Sequence, residues 1–346
     1  MSSKPVHPYF QALAAADVSK SSKRQYVRNL QTLCRDTKFS LEEIVMSPKK
    51  VYMYLLKQYQ NAQTRRNFIA AVRSLFKHVP DLECEYATAA KRWGDLQARE
   101  GDAVSERILK GEPSDRERHN WVRWSDVVAK ERELAATEYG SIEHLLLAMY
   151  VLIEPGRQDY NAVALLSREP SDPAKGNYII MPTSTLVLNV YKTAKVYNQY
   201  RRELPSELMN IIHTSLRRQP RQFLFVQEDG TPYLRRNSYT KFSNRTLERI
   251  FDKKFTVSML RHCYISEGID FNKSTPGEIF TAAKHMHHSV AQQQLYRRFV
   301  DSEEEEQPQS KNTYQVVQIA RPTPTPPPSR KSTSTFKEQS YIDIPL

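Results

Sequence analysis

The chain has 346 residues, with 51 Lys plus Arg against 39 Asp plus Glu, a net charge of +12 and a pI near 9.4. That length predicts two domains with tails, and the basic balance points to a polyanionic partner, nucleic acid first. Three cysteines without paired spacing, Cys34, Cys84 and Cys263, argue against a disulfide framework or a zinc site. No apolar run reaches the length of a membrane span, and the opening MSSKPVHPYF lacks a signal-peptide apolar segment. The expectation is a soluble, intracellular protein with no membrane partner.

Residues 1–20 read as a loose arm. From Ser21 the pattern turns helical: in SSKRQYVRNLQTLCRD, Tyr26, Leu30 and Leu33 share a face behind a serine cap. Pro48 opens a second helix carrying Val51, Tyr54 and Leu55, a first-turn use of proline. The third, QTRRNFIAAVRSLFKHV, puts Phe68, Ile69, Val72, Leu75 and Phe76 on its apolar side. A fourth covers residues 86–96. Together they predict a small helical DNA-binding domain at residues 21–97. Arg65, Arg66, Arg73 and Lys77 are left for the other side of the third helix. Basic residues spaced along one helix face can follow a phosphate backbone, the ordinary alternative being a solvated surface.

Residues 98–120 are polar with little apolar periodicity and read as a linker, partly helical. A second domain spans residues 121–301. It begins with WVRWSDVVAKERELA and continues into SIEHLLLAMYVLI, apolar nearly all round and so a central buried helix. NYIIM and TLVLNVY predict a β-hairpin, with a third strand at residues 200–204 and a brief extended piece at FLFV. Helices return from Asn237. The fold class is therefore mainly α with a small β-sheet (α+β). Residues 302–346 are acidic, then rich in Thr, Pro and Ser, a composition that predicts disorder. Within them YQVVQI (314–319) is a candidate contact between protomers.

The chemistry concentrates in residues 256–298, which hold Arg261-His262, His287-His288-Ser289, and Tyr296 followed by Arg297 and Arg298. A phenol ordinarily ionises near pH 10. Guanidinium neighbours favour the phenolate and also clamp a phosphodiester through forked donors. Such a tyrosine could attack phosphate and split one hard displacement into two easier ones through a covalent link. The competing reading is a helix whose tyrosine packs on the domain beside solvated arginines. Cys263, between His262 and Tyr264, reads as a small packing residue.

The order of these pieces resembles the tyrosine recombinases, the phage-integrase group. The wording NWVRW, GRQDY, YKTAK, LRHCYIS and MHHSV…LY is most similar to recombinases of Crypton-type elements and large DNA viruses. The resemblance covers residues 20–300 and implies a helical core-binding domain followed by a catalytic domain. Carried over, Arg157 in EPGRQDY is the first clamp arginine, against the simpler reading of an arginine paired with Asp159. The family's more familiar pattern has an acid three residues after this arginine. Here Tyr160 holds that place and the acid is Asp159. Lys192 matches the lysine that protonates the leaving 5′ oxygen, with Lys195 as the alternative. Arg261 is the second clamp arginine, followed by His262. Three residues before it the family usually has His, where this chain has Ser258, a poor general base.

MHHS favours His288 as phosphate donor, with His287 as the alternative, and Tyr296 becomes the nucleophile. The resemblance implies cleavage of double-stranded DNA through a 3′-phosphotyrosyl bond, without metal or cofactor, by a homotetramer on paired sites. Its place in the cell is the nucleus or wherever the element's DNA resides. A type IB topoisomerase-like enzyme and a non-catalytic DNA-binding protein of the same fold are the alternatives.

Overall fold

The computed structural model describes residues 7–300. The acidic run at 303–306, the Thr/Pro/Ser-rich tail and the 314–319 segment lie outside them.

The described residues open with eight helices and a helical core. They are α1 (Pro8–Ala15), α2 (Lys20–Thr37), α3 (Leu41–Met46), α4 (Pro48–Gln58), α5 (Ala62–His78), α6 (Leu82–Glu85), α7 (Ala87–Leu109) and α8 (Asp115–His119). Residues 8–15, expected as a loose arm, form α1 instead. Pro8 holds the first helical position, the His7 ring accepts from the Tyr9 amide at 3.2 Å, and Leu13 is buried. Ser19 caps α2, and Ser40 and Glu43 close a reciprocal capping box on α3. Leu30, Leu33, Ile69, Val72, Leu75 and Trp93 meet in one core, where Trp93 donates to the Val45 carbonyl at 3.0 Å.

The fourth helix, expected to stop at residue 96, runs on to Leu109 and takes up much of the expected linker. Glu100 and Val104 are buried there. Polarity misleads at this point because Glu100 points inward.

The second core surrounds α10. After α9 (Trp124–Thr137) and α10 (Ile142–Val151) come β1 (Val163–Leu166), β2 (Asn177–Ile180), β3 (Thr185–Leu188), α11 (Ala194–Tyr197) and β4 (Tyr200–Glu203). Then follow α12 (Ser206–Arg218), α13 (Arg236–Phe251), α14 (Val257–Cys263), a π-turn at Tyr264–Gly268, α15 (Pro276–His285) and α16 (Val290–Gln294). Residues 145–150 of α10 are fully buried, as an all-apolar helix requires. The class is α+β: among the described residues, a helical fold with one four-stranded sheet ordered β1-β2-β3-β4.

The expected hairpin is β2–β3, antiparallel with Ile179 opposite Leu186, and β4 pairs antiparallel with β3. β1, which the sequence reading lacked, pairs parallel to β2. Phe223 of the FLFV piece bridges Ala164. Cys263 is fully buried, and burial pushes its thiol up, as suits a packing residue. Among the described residues no helix is long and apolar enough to cross a membrane.

Candidate active site

Several separate elements converge on one cleft of about 330 Å³, lined by Arg157, Gln158, Lys192, Arg236, Val257, Ser258, Arg261 and Tyr296. Arg157 follows α10 across Pro155-Gly156. A Cβ on Gly156 would lie 3.1 Å from the Tyr160 hydroxyl, so glycine lets the chain turn tightly over that ring. Lys192 comes from the connection between β3 and β4, and Arg236 is the first residue of α13. Ser258 and Arg261, three apart on α14, face the same way. Tyr296 follows α16.

Arg261 is 3% exposed. It donates to the Met286 carbonyl at 3.3 Å and lies 3.3 Å from His288 Nδ1, while its Nε has no partner among the described residues. Its guanidinium carbon stands 5.2 Å from the centre of the Tyr296 ring. Burial lowers its pKa first, and the nearby charge of Arg157 lowers it further. It remains cationic, as arginine does throughout proteins. Two guanidiniums thus act on one another here with the single buried carboxylate of Asp159 shared between them, an excess of positive charge that an anionic ligand relieves.

The structure separates the two adjacent histidines. His288 packs edge-on to Tyr296, ring centres 5.5 Å apart. Arginine can only donate, so His288 Nδ1 accepts from Arg261 and the ring proton sits on Nε2, a buried N–H without a partner among the described residues. Burial, then Arg261 and Arg157, hold His288 down at about 3, so the ring is neutral and a donor. His287, with φ +56°, turns the other way into Tyr191 and Tyr200, at 4.6 and 4.4 Å. What it gives the site is its carbonyl, which accepts from Arg157 at 2.8 Å and from Thr193 at 3.3 Å.

Tyr296 is half-buried against the apolar cluster of Ile265, Ile269, Ala282 and Met286. His262 stacks on its ring at 4.7 Å, and His262 Nδ1 donates to the Tyr296 carbonyl at 2.7 Å. His262 is held at about 4, chiefly by burial. Asp159 is 2% exposed and hydrogen-bonded to Arg236. Burial raises its pKa, while Arg236, Arg157, the Lys192 amide and Arg261 lower it.

Of the residues singled out in the sequence, Arg157, Lys192, Ser258, Arg261 and Tyr296 line the cleft together. His288 and His262 flank the tyrosine, and Asp159 lies beneath, bonded to the cleft's Arg236. Lys195 is exposed on α11 and is not part of the cleft lining. Gln158, Arg236 and Val257 were missed. Arg236 left one usable trace: a cation at the first position of a helix opposes the macrodipole and calls for a nearby anion.

The basic residues of α5 are largely turned toward α7. Arg65 binds Glu100 through two nitrogens, at 2.9 and 2.8 Å, and also donates to the Tyr59 and Gln60 carbonyls. Arg73 donates to the Ala90 carbonyl at 3.1 Å and lies against Gly94, and Arg66 lies beside Gly101. Lys77 is exposed.

No protein-family model matches the chain, and no curated protein does either. Among solved structures, the crystal structure of XerA recombinase is similar at 13% identity, over 85% of this chain and 93% of that chain, with a TM-score of 0.37.

Proposed function

We propose that this chain is a tyrosine-dependent DNA strand transferase, a site-specific recombinase or integrase of a mobile element or virus. The observation that carries the reading is the convergence of Arg157, Lys192, Arg261 and Tyr296 on one cleft, with His288 beside the tyrosine. The two guanidiniums and the His288 N–H hold the nonbridging oxygens of a phosphodiester, where preorganised donors contribute most to catalysis. Tyr296 Oη bonds to phosphorus and its proton passes to water in the open cleft. The bond from phosphorus to the 5′ oxygen breaks, and Lys192 supplies the proton to that oxygen. The 3′-phosphotyrosyl link conserves the bond, and a second 5′ hydroxyl reverses the step. Strand exchange on paired sites calls for a homotetramer on double-stranded DNA. The helical residues 21–97 grip the duplex, with Lys77 the freest of their cations on α5, and the enzyme works where its DNA resides, including a nucleus.

The test uses nicked suicide duplexes tiling the DNA on either side of the coding sequence, incubated with full-length protein. The expected result is an SDS-resistant protein–DNA band that Tyr296→Phe abolishes while leaving the mobility shift intact. No band on duplexes that the wild type binds would overturn the reading in favour of a DNA-binding protein.

A further inference from the structure

We infer that Arg236 is a third phosphate-contacting guanidinium of this cleft, a catalytic residue beside Arg157 and Arg261. The inference rests on the strand-transferase reading and extends it to a residue that no motif singled out. Arg236 lines the same cleft as Lys192, Arg261 and Tyr296. Its guanidinium is bonded to Asp159 Oδ1, yet its side chain is 37% exposed where the aspartate's is 2%. One end of the fork is therefore anchored in the domain while the rest faces the opening.

The position argues against a merely charge-balancing role. Arg236 begins a 16-residue helix whose preceding residue makes no side-chain cap. A cation there is disfavoured by the helix dipole. Asp159 offsets part of that cost, but it is already shared electrostatically with Arg157, Arg261 and the Lys192 amide, and among the described residues no guanidinium covers its Oδ2. A buried carboxylate wanting only neutralisation would draw Arg236 in to cover both oxygens, as Glu100 does with Arg65. Instead Arg236 holds one oxygen and keeps donors free toward the cleft. A planar fork suits a phosphodiester, and a fork pinned at one end is preorganised for it.

The experiment compares wild type, Arg236→Gln and Arg236→Lys on the suicide duplex that the wild type cleaves. Each is also assayed on the same duplex with an uncharged methylphosphonate at the scissile position. On the phosphodiester, Arg236→Gln should slow covalent-complex formation on the order of 100-fold, with Arg236→Lys intermediate and both melting within a few degrees of wild type. On the methylphosphonate, the gap between wild type and Arg236→Gln should close to within roughly threefold, because the charge that Arg236 meets is gone. A gap that persists there, in either variant, assigns Arg236 a structural role and overturns the inference alone. Equal rates on the phosphodiester do the same. Failure of the wild type to form any complex overturns the underlying reading, and this assignment with it.

Discussion

His287 and His288 are neighbours with opposite duties, and the backbone decides between them. The positive φ of His287 sends one ring toward Tyr191 and Tyr200 and leaves the next beside Arg261 and Tyr296. Spacing alone left both rings open, because a two-residue ambiguity at a helix corner is settled by a dihedral that no side-chain pattern encodes. Together with His262, these rings make the fold sensitive to acid. Burial holds all three below the ordinary imidazole value, at about 4 for His262 and about 3 for the other two. The unfolded chain takes up their protons near pH 6.5 while the fold excludes them. Stability is therefore full above about pH 6.5 and falls as pH drops toward 4, by about 1.4 kcal/mol per pH unit for each ring. Urea midpoints between pH 7.5 and 4.5 should follow that slope, and His287→Gln should flatten it by about a third. A level profile in that range would mean that the rings are protonated in the fold.

Among the elements, α5 and α7 show where sequence reading succeeds and where it stops. The apolar face of α5 was legible from 3.6-residue periodicity, and Phe68, Ile69, Val72, Leu75 and Phe76 are all buried. The opposite stripe read as one set of DNA contacts, but its members differ. Arg65 closes on Glu100, 35 residues away, a pairing that only tertiary packing creates. β1 escaped for a related reason: VALL is four residues long with no alternation, and its strand identity comes from lying parallel to β2. Likewise Arg236 joins the cleft through Asp159, across 77 positions. Two substitutions separate the roles on α5. Arg65→Ala leaves Glu100 buried without its cation and should cost about 3–5 kcal/mol in urea unfolding. Lys77→Ala should stay within about 0.5 kcal/mol, yet lower DNA affinity and reduce the slope of log K against log salt by about 1. Equal destabilisation by both would refute the distinction.

Across the whole molecule, the residues between the two cores are joined to the segment that bears Tyr296. The Gly111 carbonyl accepts from the Phe299 amide at 2.8 Å, and the Phe299 ring lies where a Cβ on Gly111 would stand, at 2.6 Å. From α8, Glu117 faces Arg298 Nε and His262 Nε2, both at 3.7 Å, while its own capping box with Ser114 fixes it in place. Arg298 is 7% exposed; its amide donates to the Ser266 hydroxyl at 2.8 Å, and among the described residues its guanidinium otherwise bonds only the Leu295 and Arg297 carbonyls. Glu117 is thus the anion that compensates a buried cation two residues past the tyrosine. Glu117→Gln keeps the shape and the cap but removes that charge. Amides 296–299 should then exchange about tenfold faster, equivalent to roughly 1.4 kcal/mol of local stability, while those of α10, at the centre of the second core, stay unchanged. Unchanged exchange at 296–299 would instead assign the hold on Tyr296 to the His262 stack and its 2.7 Å hydrogen bond alone. Faster exchange would mean that the connection between the cores helps to set where the phenol sits.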